Sequence, residues 1–164
     1  MTHYQNAMVL PSGYAKTQLL WEMAADGATH PLVRDVATSI VRTAPRFDHV
    51  ERVKRLHRFV RDSVPYHREP IEMLHPAAFV LMNGGDCDDH AILMGALAWA
   101  VKYPFIVEAI NPENPSHYTM RVGTPPAETP YGNAKTEWWP VETTVPAFFG
   151  EHVSAVVPRL GGLS

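Results

Sequence analysis

The chain has one cysteine, Cys87, and it stands in a run that reads NGGDCDDHAILMGALAWAV over residues 83–101. From Ala91 onward the run is apolar nearly all round, which predicts a buried central helix from about Cys87 to Val101. Gly84 and Gly85 read as a turn before it and Asp86 as its N-cap. A cysteine in the first turn of such a helix has a physical advantage. The partial positive charge and free N–H groups of a helix N-terminus stabilise a thiolate. The same N–H groups face an oxyanion formed beside the sulfur. The neighbouring aspartates work the other way, because a second negative charge beside a carboxylate is costly. A thiolate at Cys87 should therefore depend on an imidazolium partner more than on the helix dipole alone.

Thiol catalysis needs a base within reach, and the base needs an acceptor to orient it. SHYTMRVG, residues 116–123, reads as a strand with His117 near its start. Alternation puts His117, Thr119 and Arg121 on one face and Tyr118, Met120 and Val122 on the other. TEWWPVETTV, residues 136–145, reads as a third strand that carries Glu142. If these two strands pair, Glu142 lies beside His117 and accepts its ring N–H. The chain order is then Cys87, His117, Glu142. His90, three residues after Cys87, is the alternative base. Of the other histidines, His30, His49, His57, His67, His75 and His152 read as structural or surface residues. A metal reading of DCDDH lacks a CxxC pair, an HExxH pair and EF-hand spacing, so no metal site is expected. Asp88 and Asp89 are explained as first-turn acids that complement the helix dipole and fan away around the turn.

The elements that must hold these groups follow from periodicity. Residues 1–13 read as an arm, and YAKTQLLWEMAA, residues 14–25, as a short helix with Leu19, Leu20 and Met23 inward. Pro31 opens a second helix, whose Leu32, Val33, Val36, Ile40 and Val41 fall at helical spacing. Asp48 and Glu51 have capping-box spacing before a third helix. Its apolar face is Val50, Val53, Leu56, Phe59, Val60 and Val64, and Pro65 stops it. Arg52, Lys54, Arg55, Arg58 and Arg61 read as its solvated face rather than a nucleic-acid site. A short helix follows near Pro76 to Met82. Beyond the Cys87 helix, PFIVEAIN, residues 104–111, reads as the first strand. Asn111 to Pro115 should form the turn to the second. A long loop with Pro125, Pro126 and Pro130 leads to the third. Helices first and an antiparallel sheet afterwards is an α+β pattern. Residues 146–164 read as a weakly patterned tail.

GDCDDHAILMGALAWAVKYPFIVEAI, then SHYTMRVG, then WWPVETT, resembles the transglutaminase-like group of papain-related proteins. The pattern is a Gly-x-Cys helix start, a histidine on the next strands, and an acid shortly after tryptophan on a further strand. The upstream VKRLHRFVRDSVPYHRE is similar to the helix and Tyr-containing loop before the cysteine in many members. The resemblance covers residues 47–145 and is to short bacterial and phage transglutaminase-like cysteine peptidases. It implies a single transglutaminase-like domain over residues 14–145 with a papain-like core in 47–145, where N-terminal helices and a central Cys-bearing helix pack on an antiparallel sheet. It implies that Cys87 is the nucleophile and His117 the base. The third position is aspartate in most members and Glu142 here, and the extra methylene requires a different strand offset. Asn83 is a candidate second oxyanion donor, with Asp86 in support. Trp138 and Trp139 read as packing residues or as walls of an acyl pocket.

The expected chemistry is acyl transfer at an amide through a Cys87 thioester, without a cofactor. Water as acceptor makes a peptidase or amidase acting on a peptide, protein or peptidoglycan amide; a lysine-type amine makes a transglutaminase. The contrasting reading is a non-enzymatic assembly module, in a phage tail or virion, in contact with other structural subunits through the Pro-rich loop 124–130 and the tail. Composition bounds these choices. With 164 residues, 46% apolar and 19% charged, the chain suits one globular core. A net charge of −3 argues against a general polyanion binder. One cysteine excludes an internal disulfide. The first residues lack a signal-peptide pattern, and Ala91 to Val101 is too short to span a bilayer, so a cytoplasmic location is expected.

Overall fold

The computed structural model describes residues 14–71, 73–110, 117–125 and 135–152. Five helices come first: α1 (Tyr14–Gly27), α2 (Pro31–Arg42), α3 (His49–Ser63), α4 (Ala77–Asn83) and α5 (Cys87–Ala100). Three strands follow: β1 (Phe105–Ile110), β2 (His117–Thr124) and β3 (Glu137–Pro140). The fold is α+β, with one small antiparallel sheet ordered β1-β2-β3. The expected arm, the 111–115 turn, Pro126 and Pro130 of the loop, and the tail past residue 152 lie outside the described residues.

The apolar run becomes the centre of the molecule. Every residue of α5 from Asp88 to Ala98 is buried. The helix packs against α1, α2, α3 and α4 and against β1 and β2. Ile92, Leu93, Met94 and Leu97 are fully enclosed. Burial of side chains of this size contributes about 1.5–3 kcal/mol each. Gly95 permits the closest approach, since a Cβ there would lie 2.9 Å from the Phe105 ring and 3.0 Å from the Ala24 methyl.

The surrounding helices start and stop for local reasons. Pro31 occupies the first turn of α2, and the His30 ring accepts the Leu32 amide. Asp48 accepts the Glu51 amide at 2.9 Å, whereas the Glu51 carboxylate turns to Arg55 at 3.0 Å. Only half of the expected capping box therefore forms. Val64 is extended ahead of Pro65, as the restriction on a residue before proline demands. Gly84 and Gly85 do more than turn the chain. Gly84 sits at φ +79°, with its α-carbon against the Pro65 carbonyl. Gly85 donates to Pro65 O and accepts from the His67 amide in a parallel bridge beside Tyr66. The absent side chain of Gly84 makes room for Pro65 in the segment after α3, and that of Gly85 makes room for the Asp89 carboxylate.

The third strand is shorter than its sequence suggests. The ladder runs from Thr124↔Glu137 to Arg121↔Pro140 and stops. Pro140 has no N–H to donate. Val141 still donates to Met120 O at 3.0 Å, but Glu142 then turns inward and accepts the Thr144 amide at 2.7 Å. Glu142 thus follows β3 rather than lying within it. Thr124, expected in an exposed loop, is fully buried at the end of β2. Ala147 and Phe149 lie against α3, where Arg61 donates to Ala147 O at 2.9 Å and His57 meets the Phe149 ring edge-on.

Candidate active site

Asp86 builds the start of α5. Its Oδ1 accepts the amides of Asp88 at 3.1 Å and Asp89 at 3.5 Å, and Asp89 returns a carboxylate oxygen to the Asp86 amide at 3.3 Å. This reciprocal cap uses two helix-end donors. Among the described residues the Cys87 amide has no partner of its own, so it remains as the donor beside the sulfur. Burial and the proximity of Asp88 and Asp89 push the Asp86 carboxyl up to about 6.

Cys87 is partly buried, and its sulfur donates to Asp88 Oδ1 at 3.4 Å. Burial, then the charges of Asp88 and Asp86, push the thiol up to about 12, against the pull of the Tyr118 backbone N–H. Asp88 does not fan outward as expected. It is buried, and its other oxygen lies 2.6 Å from Lys16 Nζ. Asp89 is also buried, accepting the His75 amide at 2.9 Å and facing the His75 ring at 3.2 Å. Both acids are internal tethers rather than surface complements to the helix dipole.

His117 and Glu142 do come together. His117 Nε2 lies 2.6 Å from Glu142 Oε2. The other Glu142 oxygen accepts both the amide and the hydroxyl of Thr144 at 2.7 Å. Burial by itself raises this carboxyl, but hydrogen bonding and the charge of His117, with the Thr144 donors, hold it below its ordinary value. His57 Nε2 lies 2.6 Å from the Glu142 backbone oxygen, so α3 fixes the same residue from the other side. With Nε2 engaged, Nδ1 of His117 is the nitrogen left for a thiol or a substrate. Among the described residues, the hydrogen-bond partner of the Cys87 thiol is Asp88 and not His117.

The remaining candidates have other partners. Asn83 is exposed, and its amide nitrogen donates to Phe79 O of its own helix at 3.0 Å. Trp138 and Trp139 pair with Gly123 and Val122. At about 3.4 Å per residue, those positions are roughly 17–20 Å along β2 from His117. Trp139 donates to the Thr124 hydroxyl at 2.9 Å and tilts onto Phe149, a packing role. His90 has Nε2 at 3.2 Å from Pro65 O, and its buried Nδ1 has no hydrogen-bond partner. Burial lowers its pKa, which suits a neutral ring held by the backbone.

Two residues that sequence reasoning passed over belong here. Lys16 lies four residues before Leu20, and His57 four after Val53, so both fall on buried helical stripes. That spacing was the available signal. Among the described residues two trios of potential metal-donor atoms gather within 4.8 Å, Glu69 with His75 and Asp89, and Asp86 with Cys87 and Asp88. Most of these atoms are already engaged by the hydrogen bonds and ion pairs above. A cleft of about 290 Å³ opens between Val64 and Tyr66 on one side and Thr143 to Pro146 on the other. It adjoins Glu142 in sequence and Cys87 through Tyr66, whose phenol is raised by burial and by the nearby thiol.

Comparison with family models, with curated proteins and with solved structures finds no match for the chain. Among the described residues no helix is long and apolar enough to cross a membrane.

Proposed function

We propose that the protein is a thiol-dependent amide acyl-transferase of the transglutaminase-like, papain-related kind, working as a peptidase or amidase. The observation that carries this reading is the 2.6 Å pairing of the half-buried His117 Nε2 with the buried Glu142 carboxylate. It leaves His117 Nδ1 available near a helix start that bears the one cysteine. In the proposed cycle Nδ1 takes the thiol proton, and Cys87 Sγ attacks the carbonyl carbon of the amide. The Cys87 amide donates to the oxyanion. His117 returns its proton to the leaving amine, and a thioester remains. Water, deprotonated by the same nitrogen, then releases the acid and restores the thiol. Glu142 holds the ring in one tautomer and stabilises it while charged. An amine in place of water makes the reaction a transamidation.

Amide turnover on a panel of peptide and peptidoglycan substrates tests the proposal. Cys87→Ala should abolish turnover, and His117→Ala should reduce it by about 10²–10⁴-fold. Turnover unchanged in Cys87→Ala removes the reading. A second reading, an assembly module that retains the fold, is favoured by the thiol's contact with Asp88 and its pKa of about 12. On that reading no variant of Cys87, His117 or Glu142 changes any turnover, and the chain is found bound to other structural subunits.

A further inference from the structure

We propose that Asp88 and Lys16 are positioning residues for the Cys87 thiol: Asp88 draws the S–H toward itself, and Lys16, reaching from α1, sets how strongly. The proposal rests on reading Cys87 as the nucleophile. The Cys87 sulfur is 3.4 Å from Asp88 Oδ1, and Lys16 Nζ is 2.6 Å from Asp88 Oδ2. The two charged side chains are 5% and 7% exposed, so water screens little of their interaction. Lys16 Nζ also lies 4.7 Å from the centre of the Tyr118 ring. Tyr118 directly follows His117, and its backbone N–H faces the sulfur. One carboxylate therefore ties α1 and β2 to the nucleophile.

The groups around the thiol define what the pair can do. Asp86 and Asp88 face it from α5, Lys16 comes from α1, and the Tyr66 phenol from the segment after α3. β2 brings the Tyr118 amide, with His117 one residue before it, and α4 contains no titratable side chain. An S–H that donates to a carboxylate is held at rest, because loss of its proton would set two negative charges side by side. Lys16 offsets the charge of Asp88 and limits this penalty. A buried ion pair is seldom a net gain in stability over apolar packing, so its placement against the sulfur points to a role in tuning the thiol. Release of the S–H from Asp88 toward His117 Nδ1 becomes the step that arms the site.

Alkylation by iodoacetamide, followed by intact mass at pH 6–9, tests this. Cys87 is the one cysteine, so the mass gain reports a single site. In the reaction the thiolate sulfur displaces iodide, the S–C bond replaces C–I, and the thiol proton goes to buffer. Asp88→Asn should alkylate at least about threefold faster than wild type at pH 7. A one-unit fall in thiol pKa gives about tenfold more thiolate, offset in part by lower intrinsic nucleophilicity. Lys16→Met should slow alkylation, and Lys16→Arg should restore it. A loosened structure would expose the sulfur and speed both Asp88→Asn and Lys16→Met, whereas the charge mechanism moves them in opposite directions. Equal acceleration in both, or no change in either, overturns the proposal. Should Asp88→Asn fail to fold, the Lys16 variants decide alone, and equal rates for Met and Arg overturn it. Amide turnover untouched in Cys87→Ala removes the acyl-transfer reading, and the catalytic meaning of the pair with it, whereas alkylation rates that fail to shift in opposite directions overturn the pair's effect on the thiol and leave that reading standing.

Discussion

Glu142 ties three parts of this molecule together. One oxygen meets His117 and the other takes two donors from Thr144, while its backbone oxygen faces His57. The extra methylene, relative to an aspartate, matches its position just beyond β3. From there the side chain reaches back to a histidine at the start of β2. Replacement by glutamine keeps the volume and removes the charge that stabilises an imidazolium. On the proposed mechanism Glu142→Gln should retain the fold and lower amide turnover by about 10²–10⁴-fold. The paired measurements are steady-state turnover and far-UV circular dichroism. Full turnover in a folded Glu142→Gln protein would contradict the role given to the acid.

The start of α5 is where helix stability and site chemistry conflict. Asp86 caps the helix, yet burial and its neighbours Asp88 and Asp89 push its carboxyl up to about 6. A group whose folded pKa lies above its unfolded value of 3.8 stabilises fully below 3.8 and loses that contribution as pH rises through 6. At pH 7.5 the ionised form therefore costs stability, by about 1–2 kcal/mol after allowance for partial exposure. Asparagine caps a helix as well as aspartate does. Asp86→Asn should unfold a few °C higher than wild type at pH 7.5. Its advantage should shrink toward pH 4, as thermal melts across that range will register. An advantage independent of pH would contradict a charge-based cost at this cap. The same element shows the limit of reading a turn from glycine alone. Gly84 admits Pro65 and Gly85 admits the Asp89 carboxylate, and only the folded chain displays those partners.

At the scale of the whole molecule, α5 makes the helices and the sheet one core. Leu97 touches that core from its middle and is fully enclosed. Leu97→Ala should cost about 2–5 kcal/mol, the range for a large buried side chain replaced by alanine. Because α5 packs on both layers, the loss should move all parts of the chain together. Urea unfolding followed by circular dichroism and by tryptophan fluorescence checks this. Trp21 and Trp99 report the region around Phe105, and Trp138 and Trp139 report β3. Transitions that separate between the two probes would mean that the sheet and the helices unfold independently.

Local chemistry made much of this legible in advance. The apolar run after Cys87, the prolines at segment ends, the aspartate caps and the two-residue alternation of β2 are properties of neighbouring residues, and they mark the α+β order and α5 as its centre. The pairing of His117 with Glu142 was also readable from the strand order, although Glu142 reaches it from just beyond β3 rather than from within the strand. What neighbours in sequence do not specify is which distant group fills a buried position. Lys16 against Asp88, His57 against Glu142, and Asp88 turned back to the sulfur rather than out to water are each decided by packing between elements. Buried charges and ring nitrogens must find partners wherever the fold brings donors and acceptors together. The sequence therefore determined most of the elements and the pairing of His117 with Glu142, and the tertiary structure decided the electrostatic surroundings of the thiol.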